Sequence, residues 1–316
     1  MNIADANFTM NGDLDLSLEW IPCMKDIRLK DLPTPIRTTD ADNFVLNFVK
    51  RMIQNSKRAS AILINSFDAL DHDVFQPFAF EFPSLYMLGP LQLLVDCIES
   101  NDKQIKPIST NLWKEDQHCL EWLDSHDPNS VVYVNFGSIT VLTIDQLVEF
   151  AWGLANSNRP FLWITRPDLI IENSAVLPPE FLAETKERGL IAKWCDQNRV
   201  LAHPAIGGFL THCGWNSTIE SLINGVPMVC WPFFAEQHTN CWFCCNKWGI
   251  GMEIDASVKR SEVERQVREL MEGDKGKEMR RKVMELRDLA YEAVAAPNGS
   301  SYNNLDKVIK VLGYAT

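Results

Sequence analysis

The stretch Ile206-Gly207-Gly208-Phe209-Leu210-Thr211-His212-Cys213-Gly214-Trp215-Asn216-Ser217-Thr218 reads as an apolar strand that turns through glycine into a helix. Residues 206–211 have the length and apolarity of a strand buried on both faces of a parallel sheet. Asn216 or Ser217 is placed to cap the helix behind it, whose first free N–H groups then face the crevice at the strand's carboxyl end. Such a turn favours an anion, the helix dipole adding roughly 0.3–1 kcal/mol and more when partly buried. Gly214 permits close backbone approach, and His212 and the Ser217 hydroxyl are donors suited to phosphate oxygens. Taken alone, the turn is of a common kind, and a single histidine in it is more often structural than functional.

Outward from this turn the same alternation of strand and helix recurs. Short apolar runs at 131–136, 161–164, 189–192, 226–231 and 250–254 predict five further strands. Thr143 and Gln146 form a capping-box pattern ahead of Leu147, Phe150, Ala151 and Leu154 at helical spacing. Helices are predicted over 217–224 and 236–247, then from a second capping box at Ser261 and Glu264, then along Met279, Val283, Leu286 and Ala290. Pro297-Asn298-Gly299-Ser300 breaks the pattern before a short last helix carrying Leu305, Val308, Ile309 and Leu312. From about residue 130 the chain is therefore a doubly wound α/β domain. The first hundred residues offer less: two buried strands at 61–67 and 85–90 and an amphipathic helix at 43–56, which cannot cover their own apolar faces well. The polar stretch 99–111 reads as a linker. The expected organisation is a partial N-terminal domain with its linker over 1–110, a complete domain over 111–297, and a C-terminal helix over 298–316 that packs back on the first.

The 316 residues carry a formal net charge of -12, with 46% hydrophobic and 23% charged residues. That balance suits a globular protein with a large core, and it excludes nucleic acid as a partner, since phosphate-backbone binding needs a concentrated basic surface. It does not exclude a small diphosphate, which backbone amides and one or two side chains can hold. No apolar run approaches the ~20 residues of a membrane span, and the polar N-terminus has no signal-peptide pattern, so a cytoplasmic location is expected. Cys241, Cys244 and Cys245, among nine cysteines, read as packing on a helix rather than a metal site, because no second ligand pair stands nearby in the sequence. The Asn-x-Ser/Thr patterns at Asn7, Asn216 and Asn298 read as chance.

The residues between Trp194 and Gln237 carry the chemistry. Trp194-Cys195-Asp196-Gln197 ends a strand of the same sheet, so the indole can offer a face to a base, a contact worth roughly 1–3 kcal/mol for nucleobases. Glu220 lies one turn into the phosphate-facing helix, where a carboxylate can accept both hydroxyls of a ribose. Glu236-Gln237 begins the next helix and can bond a sugar's hydroxyls. A dinucleotide-binding dehydrogenase is excluded, because no Gly-x-Gly-x-x-Gly follows a strand with an acid about twenty positions on.

The series Trp194…Gln197…His203-Pro204…Gly207-Gly208-Phe209-Leu210-Thr211-His212-Cys213-Gly214-Trp215-Asn216-Ser217…Glu220…Gly225-Val226-Pro227…Trp231-Pro232…Glu236-Gln237 resembles the plant secondary-product glycosyltransferase box of family 1 UDP-glycosyltransferases. Trp20-Ile21-Pro22, the 27–33 segment, Asn65-Ser66-Phe67-Asp68-Ala69-Leu70 and Asn135-Phe136-Gly137-Ser138 are similar to the subgroup that glucosylates cyanohydrins, terpenols, iridoids and cytokinins. The resemblance implies a GT-B-like α/β fold made of two Rossmann-like domains. It also implies inverting transfer of a sugar, glucose above all, from a UDP-sugar to a hydroxyl of a small plant metabolite such as a terpenoid, cyanohydrin, cytokinin or flavonoid. UDP-glucose would be a co-substrate, with no metal or other cofactor. By the same resemblance Trp194 stacks on uracil and the Cys195 backbone reads its edge. Gln197 and Glu220 hold the ribose; Ser138, His212, Asn216 and Ser217 bind the diphosphate beside Gly214; Trp215, Glu236 and Gln237 address the sugar. Asp196 stands where the box usually has proline, which implies a less rigid loop.

The family's catalytic base is a His near the start of the N-terminal domain, oriented by an Asp. The recognisable domain begins near Trp20, so both are expected upstream of Met1. His72, between Asp71 and Asp73, reads as a surface residue at a helix start. The chain as written is thus expected to be truncated, to expose apolar surface, and to bind UDP with little turnover, a pseudoenzyme or donor-binding fragment being the alternative reading.

Overall fold

The computed structural model describes residues 12–101, 116, 118–165 and 177–313. The chain folds as two compact units, one of Met1–Ser109 with Glu285–Thr316 and the other of Thr110–Met284. The second boundary falls between Met284 and Glu285, inside a helix, where the sequence reading places it at residue 297.

In the first unit, α1 (Phe44–Ser56) starts at Asn43, whose side chain accepts the Leu46 N–H at 3.0 Å. It leaves Phe44, Phe48 and Met52 exposed. Strands β1 (Ile62–Ile64) and β2 (Leu85–Met87) pair in parallel, with Leu63 opposite Tyr86. Between and after them lie α2 (Asp68–Phe75) and α3 (Leu91–Asn101), the latter running into the stretch read as a linker. His72 lies exposed on α2. Its neighbour Asp71 is buried and accepts a 2.5 Å hydrogen bond from the Ser66 hydroxyl. Burial pushes the Asp71 carboxyl up to about 6, the Ser66 bond opposing.

The second unit is a six-stranded parallel sheet. After α4 (His118–Leu123) come β3 (Val131–Asn135), α5 (Ile144–Ser157), β4 (Phe161–Ile164), α6 (Pro179–Thr185), β5 (Gly189–Ala192), α7 (Gln197–Leu201), β6 (Ile206–Thr211), α8 (Trp215–Ile223), β7 (Met228–Cys230) and α9 (Gln237–Trp242). A π-helical turn, Phe243–Lys247, then β8 (Gly251–Glu253), α10 (Arg260–Glu272) and α11 (Asp274–Val294) follow, α11 carrying the chain into the first unit. The helix predicted over 236–247 is thus α-helical only to Trp242. Closing the chain, α12 (Ser300–Val311) lies against β2: Ser301 Oγ donates to the Gly89 carbonyl at 2.6 Å and Asn304 Nδ2 to that of Met87 at 3.0 Å.

Strand order in the large sheet is β5-β4-β3-β6-β7-β8. Numbered within this unit it runs 3-2-1-4-5-6, so the direction of winding reverses between β3 and β6, and a crevice opens at their carboxyl ends. Val131, Val132, Tyr133 and Val134 are fully buried, as a strand covered on both faces requires. One side of the core gathers Phe136, Phe150 and Trp231, with the Phe150 and Trp231 rings edge to face at 5.1 Å.

Thr143 caps α5 as its sequence predicts, its hydroxyl accepting the Gln146 N–H while Gln146 Oε1 accepts that of Thr143. Ser261 does not cap α10. The helix begins two residues earlier than that cap would set, at Arg260, because Glu149 on α5 accepts the Arg260 N–H at 2.6 Å and its guanidinium at 2.9 Å. Glu264 pairs instead with Arg268. A cap from a neighbouring helix has replaced the local one. Glu149→Ala should therefore lower stability by about 1 kcal/mol, the usual worth of an N-cap. Glu149→Gln, which keeps an acceptor, should recover part of it, as read by the urea midpoint.

Candidate functional site

The crevice between β3 and β6 is walled by two loops. Asn135 pairs with Thr211 at the strand ends, so the loops beginning at Phe136 and His212 leave the sheet side by side. Gly137 has φ +76°, and its N–H donates to Asn135 Oδ1 at 2.9 Å, which turns the first loop and leaves Ser138 exposed at its bend. In the second loop Cys213 has φ +62°, and its carbonyl accepts Asn240 Nδ2 from α9 at 2.9 Å. That bond braces the turn from the helix following β7.

Helix α8 starts at Trp215 with Gly214 as its N-cap and no side-chain cap. Asn216 and Ser217, expected to cap it, occupy the second and third helical positions instead. A glycine at the cap has no side chain to accept the first free N–H groups. The consequence strengthens the anion reading: the first turn reaches the crevice without a side chain over its N–H groups.

His212 lies between the two loops. A Cβ on either Gly137 or Gly214 would collide with its Nε2, so both glycines are needed to seat the ring. Burial pushes the imidazole down to about 4, a backbone hydrogen bond with Asn135 opposing. It is therefore neutral at pH 7. Its Nδ1 is buried without a hydrogen-bond partner among the described residues.

Gln197, the first residue of α7, is the hub of a polar network. Its Nε2 donates to Glu220 Oε2 at 2.6 Å and to Ser217 Oγ at 2.9 Å. Its Oε1 accepts Asn135 Nδ2 at 2.7 Å and the Tyr133 hydroxyl at 3.2 Å. The same hydroxyl meets Cys195 Sγ at 3.5 Å. Every arm of the Gln197 amide is engaged, so Glu220 and Ser217 are held in place from the strand end of β3. Burial pushes the Tyr133 phenol up, so it stays protonated and can serve this network. Tyr133 and Asn135 were not read as site residues from the sequence. The available signal was Asn135 itself, a polar residue closing an otherwise apolar strand at the switch point.

Trp194 follows β5, half-buried, with its carbonyl accepting the Asp116 N–H at 3.0 Å and its indole Nε1 without a partner among the described residues. Asp196 caps α7, its carboxylate accepting the Arg199 N–H at 3.1 Å, so an Asx cap holds the position where the family box has proline. Trp215 leans on Trp248, with ring centroids 6.3 Å apart. Glu236 is exposed at the start of α9. Gln237 is buried, and its Oε1 accepts the N–H groups of Phe233 and Phe234. The structure thus joins Gln197, Ser217 and Glu220 directly and sets His212 and Gly214 beside the Gly137-Ser138 loop.

Two other histidines, His203 and His126, lie elsewhere. His203 Nε2 stands 3.2 Å from Asp124, and His126 Nδ1 is 3.0 Å from the Trp122 carbonyl; all four residues precede β3 or β6, at the opposite ends of the strands from the crevice. Among the described residues no helix is long and apolar enough to cross a membrane.

Residues 76–297 match the family described as UDP-glucoronosyl and UDP-glucosyl transferase. The 7-deoxyloganetin glucosyltransferase of Gardenia jasminoides is 59% identical over 310 residues, covering 98% of this chain and 64% of that protein. The (R)-mandelonitrile beta-glucosyltransferase of Prunus dulcis is 56% identical over 309 residues, covering 98% and 64%. This chain therefore spans less than two thirds of the length of these relatives. The solved structure of Phytolacca americana UGT2 complexed with UDP-2fluoro-glucose and pterostilbene superposes with a TM-score of 0.77 at 32% identity, covering 96% of this chain and 67% of that one.

Proposed function

Because the chain belongs to the UDP-glucoronosyl and UDP-glucosyl transferase family, we propose that its Thr110–Met284 unit binds UDP-glucose for inverting transfer of glucose to a hydroxyl of a small plant metabolite. The observation that carries this reading is the Gln197–Glu220–Ser217 network standing beside a neutral His212 and an uncapped helix start. Glu220 accepts the ribose hydroxyls, with Gln197 as its brace. The N–H groups of Asn216 and Ser217, the Ser138 hydroxyl and His212 take the diphosphate, and Trp194 stacks on the uracil. Glu236 and the Gln237 amide bond the glucose.

The acceptor oxygen attacks the anomeric carbon as the bond to the β-phosphate oxygen breaks and UDP leaves. Negative charge grows on the diphosphate in that step, where preorganised donors stabilise it without reorganisation. A neutral His212 serves here by donating an N–H rather than by carrying charge. A base that takes the acceptor's proton adds about 10²–10⁴-fold. His212 is not suited to that part, since it is given to the diphosphate and its imidazole, held down to about 4 by burial, is a weak base. The names of the Gardenia and Prunus relatives and the UDP-2fluoro-glucose complex support a UDP-glucose donor and a small acceptor.

Calorimetry tests the donor site. UDP-glucose should bind the folded chain, and Trp194→Ala should weaken it roughly 5- to 150-fold, the worth of one base–aromatic stack. His212→Ala should cost roughly 10- to 150-fold, the range of a hydrogen bond to a charged group. A well-folded chain with no affinity for UDP-glucose would overturn the reading. Turnover of a small hydroxylated acceptor by the same preparation tests the transfer step separately.

A further inference from the structure

Five of the nine cysteines meet inside the Thr110–Met284 unit. Cys213 lies in the turn after β6, Cys230 ends β7, Cys241 sits on α9, and Cys244 and Cys245 ride the π-helical turn. The sequence shows only the last three together; the fold adds the second group that a metal site needs. The Sγ atoms of Cys213, Cys230 and Cys241 lie within 4.8 Å of one another, and all three residues are buried. Cys245 Sγ stands 3.9 Å from Cys241 Sγ. All five are free thiols.

Four sulfurs bound at about 2.3 Å around a tetrahedral ion stand roughly 3.8 Å apart. The Cys241–Cys245 separation already matches that spacing, and the Cys213, Cys230 and Cys241 sulfurs, within 4.8 Å of one another, need shifts on the order of 1 Å to reach it. We propose that Cys213, Cys230 and Cys241, with Cys245 as the fourth ligand, form a site for one thiophilic ion of the Zn²⁺/Cd²⁺ class. Thiolates select such ions over Mg²⁺ and Ca²⁺. Each ligating thiol gives its proton to solvent as its bond to the metal forms, so uptake releases protons and weakens as pH falls. The ion takes no part in the transfer chemistry proposed above. It would tie the turn that carries His212 and Gly214 to β7 and α9 from behind.

The test is to refold the reduced protein with Zn²⁺ or Cd²⁺, remove excess by gel filtration, and measure metal content and the ultraviolet cadmium–thiolate charge-transfer band. The expected result is one ion per chain with a saturating band. Cys230→Ala should cut retained metal at least tenfold. Cys245→Ser, at the half-buried rim, should also lower retention with an unchanged circular dichroism spectrum, which separates loss of a ligand from loss of the fold. The double variant Cys23→Ser/Cys97→Ser, outside the cluster, should keep the ion. Wild-type protein that retains no ion, or a band that survives both Cys230→Ala and Cys245→Ser, would overturn the proposal.

Discussion

Gly137→Ala should weaken UDP-glucose binding by roughly 10- to 150-fold in a protein that still folds, because it evicts His212 rather than any donor contact of its own. A Cβ at residue 137 overlaps the His212 Nε2, so the ring must swing away and the diphosphate bond proposed for it goes too, at about 1.5–3 kcal/mol for a hydrogen bond to a charged group. The same residue has φ +76°, where any side chain adds about 1–2 kcal/mol of backbone strain. Gly214 separates the two effects. Its Cβ would strike the same Nε2 at 2.5 Å, yet its φ of -60° is open to alanine. Gly214→Ala should therefore match Gly137→Ala in lost affinity while costing less stability. In a His212→Ala background both alanines should lose most of their effect on affinity, since the group they displace is already gone. Full additivity in that cycle would mean that the glycines act on the ligand directly and that His212 is not the link.

Much of this arrangement could be read from the chain, for a physical reason. Strands β4 and β6 match their sequence-based bounds because a run buried on both faces is largely apolar and ends abruptly at proline or a polar residue. The capping box at Thr143 was equally readable, since donor and acceptor lie three residues apart. What escaped depends on partners far away in sequence. Arg260 begins α10 because Glu149, 111 positions earlier, takes its N–H. The Gln197 hub draws on Tyr133 and Asn135, more than sixty positions before it. Trp194, His212, Glu220 and Gln237 were legible as types at a spacing, and the resemblance supplied their roles. The fold adds which arm is already engaged: the Gln237 oxygen is committed to two backbone N–H groups, so the sugar contact proposed for it falls to its nitrogen.

Between about pH 4 and pH 6.5 the two units should respond to acid in opposite directions, by about 3 kcal/mol each. His212 has its folded value pushed down to about 4 by burial, below the 6.5 of a free imidazole, so over that interval the unfolded chain binds the extra proton. Its contribution is complete above about pH 6.5 and is lost as pH falls toward 4. Asp71 is displaced the other way, with burial raising its carboxyl to about 6 from 3.8. Here the folded chain keeps the proton that the unfolded chain releases, so stability is greatest below the unfolded value and is lost as pH rises through 6. Each displacement spans a little over two pH units at about 1.4 kcal/mol per unit. The wild-type profile should consequently be nearly level, through cancellation. Asp71→Asn, whose amide oxygen can still accept the Ser66 hydroxyl, removes the falling component and should leave a stability that climbs with pH. His212→Gln removes the rising component and should leave one that declines. Urea midpoints taken across the interval decide it: single-variant profiles as level as the wild type would mean that neither group is held away from its solution value. Two separate transitions moving oppositely with pH would assign each proton to its own unit.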